Sequence, residues 1–245
     1  MADNERHDAH QPTESAYGRF HRRVLEGRAG LFAVLTTVAI SIGGLVEIVP
    51  MFTATLGPEV NDAVTPYTPL EQAGRDIYVR EGCYTCHSQM VRPMRAEILR
   101  YGEWSRAWEY RYDRPFQLGS RRIGPDLHRV GGKYPDAWHY EHMRDPRSTS
   151  PGSRMPPYAW LLDRTIDPDD ITASVRALSK LGHPYESTDP EWVAASLQSQ
   201  GEGIVESLAL TGIETDWDRE IIALIAYLQR LGVDGSAALA EEGAR

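Results

Sequence analysis

The sequence reads Gly82-Cys-Tyr-Thr-Cys-His-Ser-Gln-Met-Val-Arg-Pro93 at its most informative point, and this stretch holds both cysteines of the 245-residue chain. Cys83, Cys86 and His87 have the C-x-x-C-H spacing of a c-type haem attachment site. Two thiols at this spacing can each form a thioether with one vinyl group of a haem, and the adjacent histidine then lies under the iron. We therefore expect one covalent haem c, bound through Cys83 and Cys86, with His87 as an iron ligand.

Two other interpretations of the cysteine pair are a thioredoxin-like redox dithiol and half of a zinc site. A redox dithiol is expected beside a strand–helix unit of a parallel sheet. This pair instead follows an amphipathic helix that begins with the capping box Thr68-Pro-Leu-Glu71 and ends at Gly82. Zinc needs two more ligands, and the chain has no further cysteine. A thiol oxidoreductase is therefore the weakest of the functions considered.

The second axial ligand of the iron must come from elsewhere in the chain, and electron-carrying cytochromes use a methionine or a second histidine. The candidates are Met90, Met94, Met143, Met155, His128, His139 and His142. Met90 and Met94 follow His87 too closely to reach the opposite face of a haem easily. Met143 suits a packing role in a short helix from Pro135 to Arg144. Met155 is favoured, because prolines stiffen the loop Pro151-Gly-Ser-Arg-Met-Pro-Pro-Tyr158 that carries it.

An apolar stretch near the N-terminus, Ala29 to Val49, has a single charge, Glu47, in its 21 residues. As a helix it would span ~32 Å, which matches a hydrocarbon core of ~30 Å. A buried helix of a soluble core usually has a polar face, whereas only Thr36, Thr37 and Ser41 interrupt this run. The stretch is also longer than the apolar part of a signal peptide, so we expect an uncleaved transmembrane anchor. Arginines lie just before the stretch, and no Lys or Arg follows it until Arg75. We expect the short N-terminus in the cytoplasm and the bulk of the chain across the membrane.

The charge balance argues against nucleic acid as a partner. Asp and Glu total 35 against 26 Lys and Arg, for a formal net charge of -9, and no basic stripe is interleaved with aromatic residues. Residues 92–154 carry 13 Lys and Arg against 8 Asp and Glu, whereas residues 155–245 carry 6 against 16. We hypothesise that arginines of the basic part, among Arg92, Arg121, Arg122 and Arg154, neutralise haem propionates.

Helical periodicity without an alternating strand pattern predicts an all-α chain. We expect a helix from Asp167-Pro168 to Gly182, a second one opened by Thr188-Asp-Pro-Glu191 and interrupted at Gly201 and Gly203, and a last helix capped by Thr215 to Asp218. The expected organisation is a cytoplasmic N-terminus (1–28), a transmembrane anchor (29–49), a linker (50–67), a mono-haem domain (68–232) with extra helices at about 167–210, and a frayed tail (233–245).

The segment Gly124-Pro-Asp-Leu-His128 follows the cysteine motif, and this order resembles class I cytochromes c, which have a G-P-x-L segment after the haem site. The resemblance implies that the carbonyl of Pro125 accepts a hydrogen bond from the other ring nitrogen of His87. It also implies that the first and last helices of the domain cross with a small residue at the contact. Gly74 and the helix face of Tyr227 suit that crossing.

Longer stretches of sequence point to a more specific family. Three of them are similar to the mono-haem cytochrome c subunit (subunit II, FixO/CcoO family) of cbb3-type cytochrome c oxidases: Ser41-Ile-Gly-Gly-Leu-Val-Glu-Ile-Val-Pro50, the stretch from Gly82 to Pro93, and Pro151-Gly-Ser-Arg-Met-Pro-Pro-Tyr-Ala-Trp160. The likeness covers roughly residues 29–232 and is weakest at 182–214. Such a chain is expected to be a single N-terminal transmembrane helix followed by a class I cytochrome c-like domain.

The resemblance implies an electron-transfer subunit of an oxidoreductase, with oxygen reduced on another subunit and no base or nucleophile required here. Electrons would come from a di-haem cytochrome c subunit or a soluble cytochrome c and pass to the haem b of the haem-copper catalytic subunit. The chain would lie in the bacterial inner membrane, in contact with lipid, with its haem domain in the periplasm. The alternative is a free membrane-tethered cytochrome that shuttles electrons between respiratory complexes. The short linker at 50–67 favours the fixed subunit, because a shuttle needs a long flexible tether.

Overall fold

The computed structural model describes residues 15–52 and 61–243, and the chain divides into two compact units between Gly57 and Pro58. Across the described residues the secondary structure is helical, with no strand and one isolated bridge between Thr165 and Arg219. The predicted all-α class is confirmed. Residues 1–14 of the predicted N-terminus and residues 53–60 of the predicted linker lie outside the described residues.

The first unit contains a short helix α1 (Ala16–Phe20), a π-helical turn (His21–Glu26) and a long helix α2 (Ala29–Phe52). The most apolar 18-residue window of α2 between Ala29 and Pro50 has a mean hydropathy of 2.1, and 0% of it is buried. Its length and composition make it a candidate membrane span. The helix continues past the predicted end at Val49 and includes Pro50.

The helices of the second unit, within residues 61–243, are α3 (Pro69–Arg80), α4 (Arg95–Tyr101), α5 (Asp136–Arg144), α6 (Pro146–Thr149), α7 (Pro168–Lys180), α8 (Pro190–Ala209), α9 (Glu220–Arg230) and α10 (Val233–Gly243). Short 3₁₀ turns lie at Cys83–Thr85, Ala107–Tyr110 and Ala159–Leu162. The predicted capping box of α3 is confirmed. The Thr68 hydroxyl accepts from the Glu71 backbone N–H at 3.3 Å, and the Glu71 carboxylate accepts from the Thr68 N–H at 2.8 Å.

Helices α3 and α9 cross in the core of the second unit. Every residue of α9 from Glu220 to Leu228 is buried. A Cβ placed on Gly74 of α3 would lie 1.9 Å from the carbonyl oxygen of Ala223 and 2.8 Å from the Cβ of Tyr227. Glycine is therefore required at this contact, as the resemblance to class I cytochromes c implied. The stretch Glu220–Glu241 is also long and apolar enough to span a membrane, but 61% of its most apolar window is buried in this unit.

Helix α8 differs from the prediction, because it runs unbroken through Gly201 and Gly203. Gly201 lies where α8 meets the chain around Trp217, and a Cβ there would lie 2.9 Å from the Trp217 carbonyl oxygen. Glycine at this position therefore permits a close approach within a continuous helix. The predicted interruption is wrong, since a tertiary contact and not a helix end accounts for the residue.

The start of a helix agrees with the prediction where a neighbouring residue in the sequence caps it. Asp167 is the predicted N-cap of α7, and its carboxylate accepts from the Asp169 N–H at 2.9 Å. Helix α9 instead begins at Glu220, beyond the predicted cap at Thr215 to Asp218. The Glu220 carboxylate accepts from Arg80 Nη1 at 2.8 Å, so an ion pair with α3 lies at the start of α9.

The tail predicted to fray at 233–245 is a helix, α10, over Val233–Gly243, so that prediction is wrong for the described residues. Asp234 forms an ion pair with Arg230 one turn earlier. It also accepts a hydrogen bond from the backbone N–H of Thr65 at 2.8 Å, and Ala238 is buried. These contacts tie the end of the chain to the beginning of the same unit, which gives α10 the tertiary packing that a short helix needs.

Candidate functional site

The second unit contains a cavity of about 580 Å³. Pockets for small molecules and cofactors typically measure about 300–1,000 Å³. Helix α3 contributes Tyr78 to the wall, and α9 contributes Leu224 and Leu228. The wall also includes all five residues predicted for the site: Cys83, Cys86, His87, Pro125 and Met155. The structure therefore brings these residues to one cavity large enough for a cofactor.

A tight turn presents the cysteines and the histidine. Gly82 has φ +71, in the left-handed region that glycine adopts without strain, and it ends the run of α3. The chain then enters the 3₁₀ turn at Cys83–Thr85. The Cys83 carbonyl accepts from the Cys86 N–H at 3.1 Å and from the His87 N–H at 3.0 Å. These bonds fold the C-x-x-C-H segment back on itself, so that both thiols and the imidazole lie along one wall.

The imidazole of His87 is oriented by the segment that begins at Gly124. His87 Nδ1 lies 2.8 Å from the carbonyl oxygen of Pro125. Because a carbonyl only accepts, Nδ1 carries the proton and Nε2 keeps the lone pair that a metal needs. A Cβ on Gly124 would lie 2.2 Å from His87 Cε1, so glycine alone fits beside the ring. Burial lowers the pKa of His87, which favours the neutral, ligating form.

Only some of the candidate second ligands lie on the cavity wall. Met155, Met143, His139 and His142 line the cavity, and Met90, Met94 and His128 do not. His128 has another role, since its Nε2 lies 3.0 Å from Glu109 Oε2. Met155, which the sequence favours as the second ligand, therefore lies on the wall together with three of the other candidates.

Hydrogen bonds fix the loop around Met155 on both sides of its two prolines. The backbone N–H of Met155 donates to Ser153 Oγ at 3.2 Å. Past the two prolines, the Tyr158 N–H donates to the Met143 carbonyl at 2.7 Å. His142, on the same helix as Met143, has Nδ1 2.6 Å from the hydroxyl of Thr149. The side chain of Met155 therefore projects from a short segment fixed against α5.

His139 is a wall residue whose role the sequence did not resolve. It is 2% exposed, and its Nε2 has no hydrogen-bond partner among the described residues. Burial lowers its pKa to about 4. Its neighbour Trp138 stacks between Tyr134 and His142, with ring centroids 4.2 and 4.5 Å away. A buried nitrogen left unpaired on a cavity wall fits a ligand that brings its own polar group, as a haem does with its propionates.

The arginines proposed for the propionates have different surroundings. Arg92 and Arg122 both pair with the carboxylate of Glu97, and chiefly the Arg122 hydrogen bond lowers the pKa of Glu97 to about 2. Arg121 does not line the cavity, whereas Arg154 does. Of the four, Arg154 is the one whose position suits a group inside the cavity.

The thiol environment is the opposite of that in a redox dithiol. Both cysteines are free. Burial, with smaller contributions from the charges of Glu81 and Cys86, raises the pKa of Cys83 to about 12. Reactive dithiols have a cysteine pKa below the ordinary value, because the thiolate is the attacking species. The surroundings of Cys83 are therefore unlike those of a reactive dithiol.

Comparison with known proteins gives one family. The model of the family described as cytochrome c oxidase, mono-haem subunit/FixO matches residues 22–234. The match begins before α2 and ends within α10, so it includes the candidate span, the cavity and every predicted site residue. No curated protein matches the chain.

Proposed function

Because the chain belongs to the FixO family of mono-haem cytochrome c oxidase subunits, we propose that it binds one covalent haem c and transfers electrons as subunit II of a cbb3-type oxidase. The observation that carries the proposal is the convergence of Cys83, Cys86, His87 and Met155 on one cavity of about 580 Å³. The proposal extends the family assignment to a cofactor, a set of ligands and a direction of electron flow.

The proposed roles follow from the chemistry of each side chain. Cys83 and Cys86 would hold the haem through two thioethers, each formed by adding a thiol S–H across one vinyl group. His87 would bind the iron through Nε2, because Nδ1 donates to the Pro125 carbonyl. Met155 would supply a thioether sulfur as the second protein ligand. When bound, the haem supplies a one-electron Fe(III)/Fe(II) couple. With His87 and Met155 both holding the iron, the site would exclude substrate and water from the metal, which suits electron exchange without bond making.

The proposed setting is the bacterial inner membrane. Helix α2 would cross the lipid, with the arginines before it on the cytoplasmic side and the haem domain in the periplasm. Electrons would arrive from a di-haem cytochrome c subunit or a soluble cytochrome c. They would leave for the haem b of the haem-copper catalytic subunit, where oxygen is reduced. The enzyme activity is thus that of the whole oxidase, and this subunit contributes electron transfer.

The alternative is a free membrane-tethered cytochrome that shuttles between complexes. The family match favours the fixed subunit, because it spans residues 22–234 and includes the anchor as well as the haem domain. Mild detergent extraction of the full chain separates the two. Migration with a multi-span haem-copper protein supports the subunit, and migration as a lone haem protein supports the shuttle.

The ligand assignment is tested by a reduced-minus-oxidised spectrum of the full chain, produced with haem-maturation factors and purified in detergent. We expect covalent haem and the weak far-red band of sulfur–iron coordination. Met155→Ala should abolish that band. Met94→Ala is the matched control, because Met94 is 45% exposed and away from the cavity, and it should leave the band intact. A band that survives Met155→Ala would assign the sulfur to Met143, and a wild-type spectrum without the band would assign a histidine such as His139.

A further inference from the structure

The carboxylate of Asp126 is completely buried and lies directly after the residue that holds His87. Its side chain is 0% exposed. Oδ2 accepts from the Ser88 hydroxyl at 2.6 Å and from the Met90 backbone N–H at 2.8 Å. Oδ1 accepts from the backbone N–H of His128 at 2.9 Å. One carboxylate therefore joins the segment that follows His87 to the segment that follows Pro125.

Backbone hydrogen bonds pair the same two segments on either side of this carboxylate. The Gly124 N–H donates to the Cys86 carbonyl at 3.0 Å, and the Leu127 N–H donates to the Ser88 carbonyl at 2.8 Å. The 2.8 Å contact between His87 Nδ1 and the Pro125 carbonyl lies between these bonds in the chain. The clamp made by Asp126 therefore fixes the Pro125 carbonyl relative to the imidazole.

The negative charge of Asp126 is only partly compensated. Among the described residues, Asp126 pairs with the cation of Arg122, whose Nη2 lies 3.5 Å from Asp126 Oδ2. Arg122 makes shorter contacts elsewhere: Nη1 lies 2.6 Å from Glu97, and Nη2 donates to the Met90 carbonyl at 2.7 Å. Its charge is thus shared between two carboxylates. A buried charge in a medium of low dielectric acts strongly on a neighbouring charged centre.

From these contacts we propose that Asp126 is a positioning residue for His87 and that its fixed negative charge lowers the reduction potential of the haem. This inference rests on the proposed function, since it needs the haem iron beside His87. The physical reason is that a nearby anion stabilises the ferric state, which carries one more positive charge than the ferrous state. Hydrogen bonds around metal ligands tune the metal in the same way. The C-x-x-C-H motif alone shows neither the positioning of His87 by Asp126 nor the buried charge of Asp126.

The test is a spectroelectrochemical titration of the full chain in detergent, comparing wild type with Asp126→Asn. Asparagine keeps an oxygen that can accept hydrogen bonds and removes the charge. At a fixed ambient potential we expect the ferrous-to-ferric ratio to rise at least about threefold, as expected for loss of a buried unit charge. Arg122→Gln should move the ratio in the opposite direction, because it removes the compensating cation. This second variant keeps the test decisive if Asp126→Asn folds poorly.

Asp113→Asn is the matched control. Asp113 is also a buried carboxylate, 3% exposed, and accepts from Arg75 Nε at 2.6 Å and from the Gln117 N–H at 3.1 Å. It is not on the cavity wall, so its loss should lower stability and leave the potential unchanged. An unmoved potential in Asp126→Asn, or an equal shift in Asp113→Asn, overturns the role of Asp126. Absence of covalent haem from the wild-type chain overturns the proposed function itself, so the two failures are distinguishable.

Discussion

Replacing Gly74 with alanine should open the crossing of α3 and α9. The new Cβ would lie 1.9 Å from the Ala223 carbonyl oxygen, 2.6 Å from the Ala223 carbonyl carbon and 2.8 Å from the Tyr227 Cβ. Two of these atoms are backbone, so no side-chain rotation relieves the overlap. The helices must separate by at least about 1 Å, and a gap of this size removes roughly a quarter to a half of the dispersion attraction between facing atoms.

The expected magnitude combines two opposing effects. Alanine gains about 1 kcal/mol over glycine from helix propensity. Overpacking a core position typically costs about 1–3 kcal/mol and occasionally more, and we expect about 3–5 kcal/mol here because the backbone itself must move. Because α9 is buried from Glu220 to Leu228, the displacement affects the whole crossing. We expect Gly74→Ala to lower the free energy of unfolding by about 2–4 kcal/mol, which corresponds to a Tm lower by about 5–15 °C for a domain of this size.

The matched control is Gly203→Ala. Gly203 is also inside a helix, α8, but a Cβ placed there meets nothing within 4 Å. Its replacement should therefore show the propensity gain alone, a stabilisation of about 0.5–1 kcal/mol. Thermal unfolding of both variants and wild type, followed by near-ultraviolet circular dichroism in the same detergent, gives the comparison. A Gly74→Ala chain that melts as high as the Gly203→Ala chain would refute the close-contact reasoning.

Three further predictions follow from single contacts. Gly124→Ala should displace the His87 ring, 2.2 Å from the new Cβ, and reduce the low-spin haem signal per covalent haem; an unchanged spectrum would contradict it. Burial lowers the pKa of His183 to about 4, so the unfolded chain binds its proton more tightly, and stability present above pH 6.5 is lost as the pH falls towards 4. His183→Phe should remove about 2 kcal/mol of this loss between pH 7 and 4.5. The free energy of unfolding is measured in urea at several pH values, and the same dependence on pH in both chains would argue against the prediction. Arg80→Gln should cost about 1–3 kcal/mol in the same assay, because the buried Glu220 carboxylate loses a cation 2.8 Å away; no change in unfolding would show that water replaces the pair.

Much of the site could be predicted because its signals are local. The C-x-x-C-H turn, the Thr68 capping box and the helix of Met143 each depend on residues a few positions apart, and the structure has them as expected. Gly74 was also predictable, since the class I resemblance calls for a small residue at the helix crossing. The resemblance to the family also depended on continuous stretches of sequence.

The remaining features depend on contacts that no local pattern contains. Gly201 suggested a helix break, yet its reason is the backbone of Trp217 in a different segment. The last residues suggested fraying, yet Asp234 bonds to Thr65 at the other end of the unit. His139 could be named as a candidate ligand, but only the fold shows that its Nε2 is buried without a partner in the described part of the chain. Local patterns therefore predict the elements, whereas the meeting at Gly74 was predicted from the class I resemblance and the meeting at Gly201 was not predicted.

The crossing of α3 and α9 also connects the core to the site. Tyr78 of α3 and Tyr227 of α9 have ring centroids 5.4 Å apart. The Tyr227 hydroxyl lies 3.0 Å from Gln89 Nε2, and Gln89 follows His87 by two positions. Tyr78 itself lines the cavity. A separation of the two helices would therefore reach the C-x-x-C-H turn through Gln89 as well as through the cavity wall. Rigid packing of this kind would keep the proposed ligands His87 and Met155 in place in both oxidation states, as the proposed electron transfer requires.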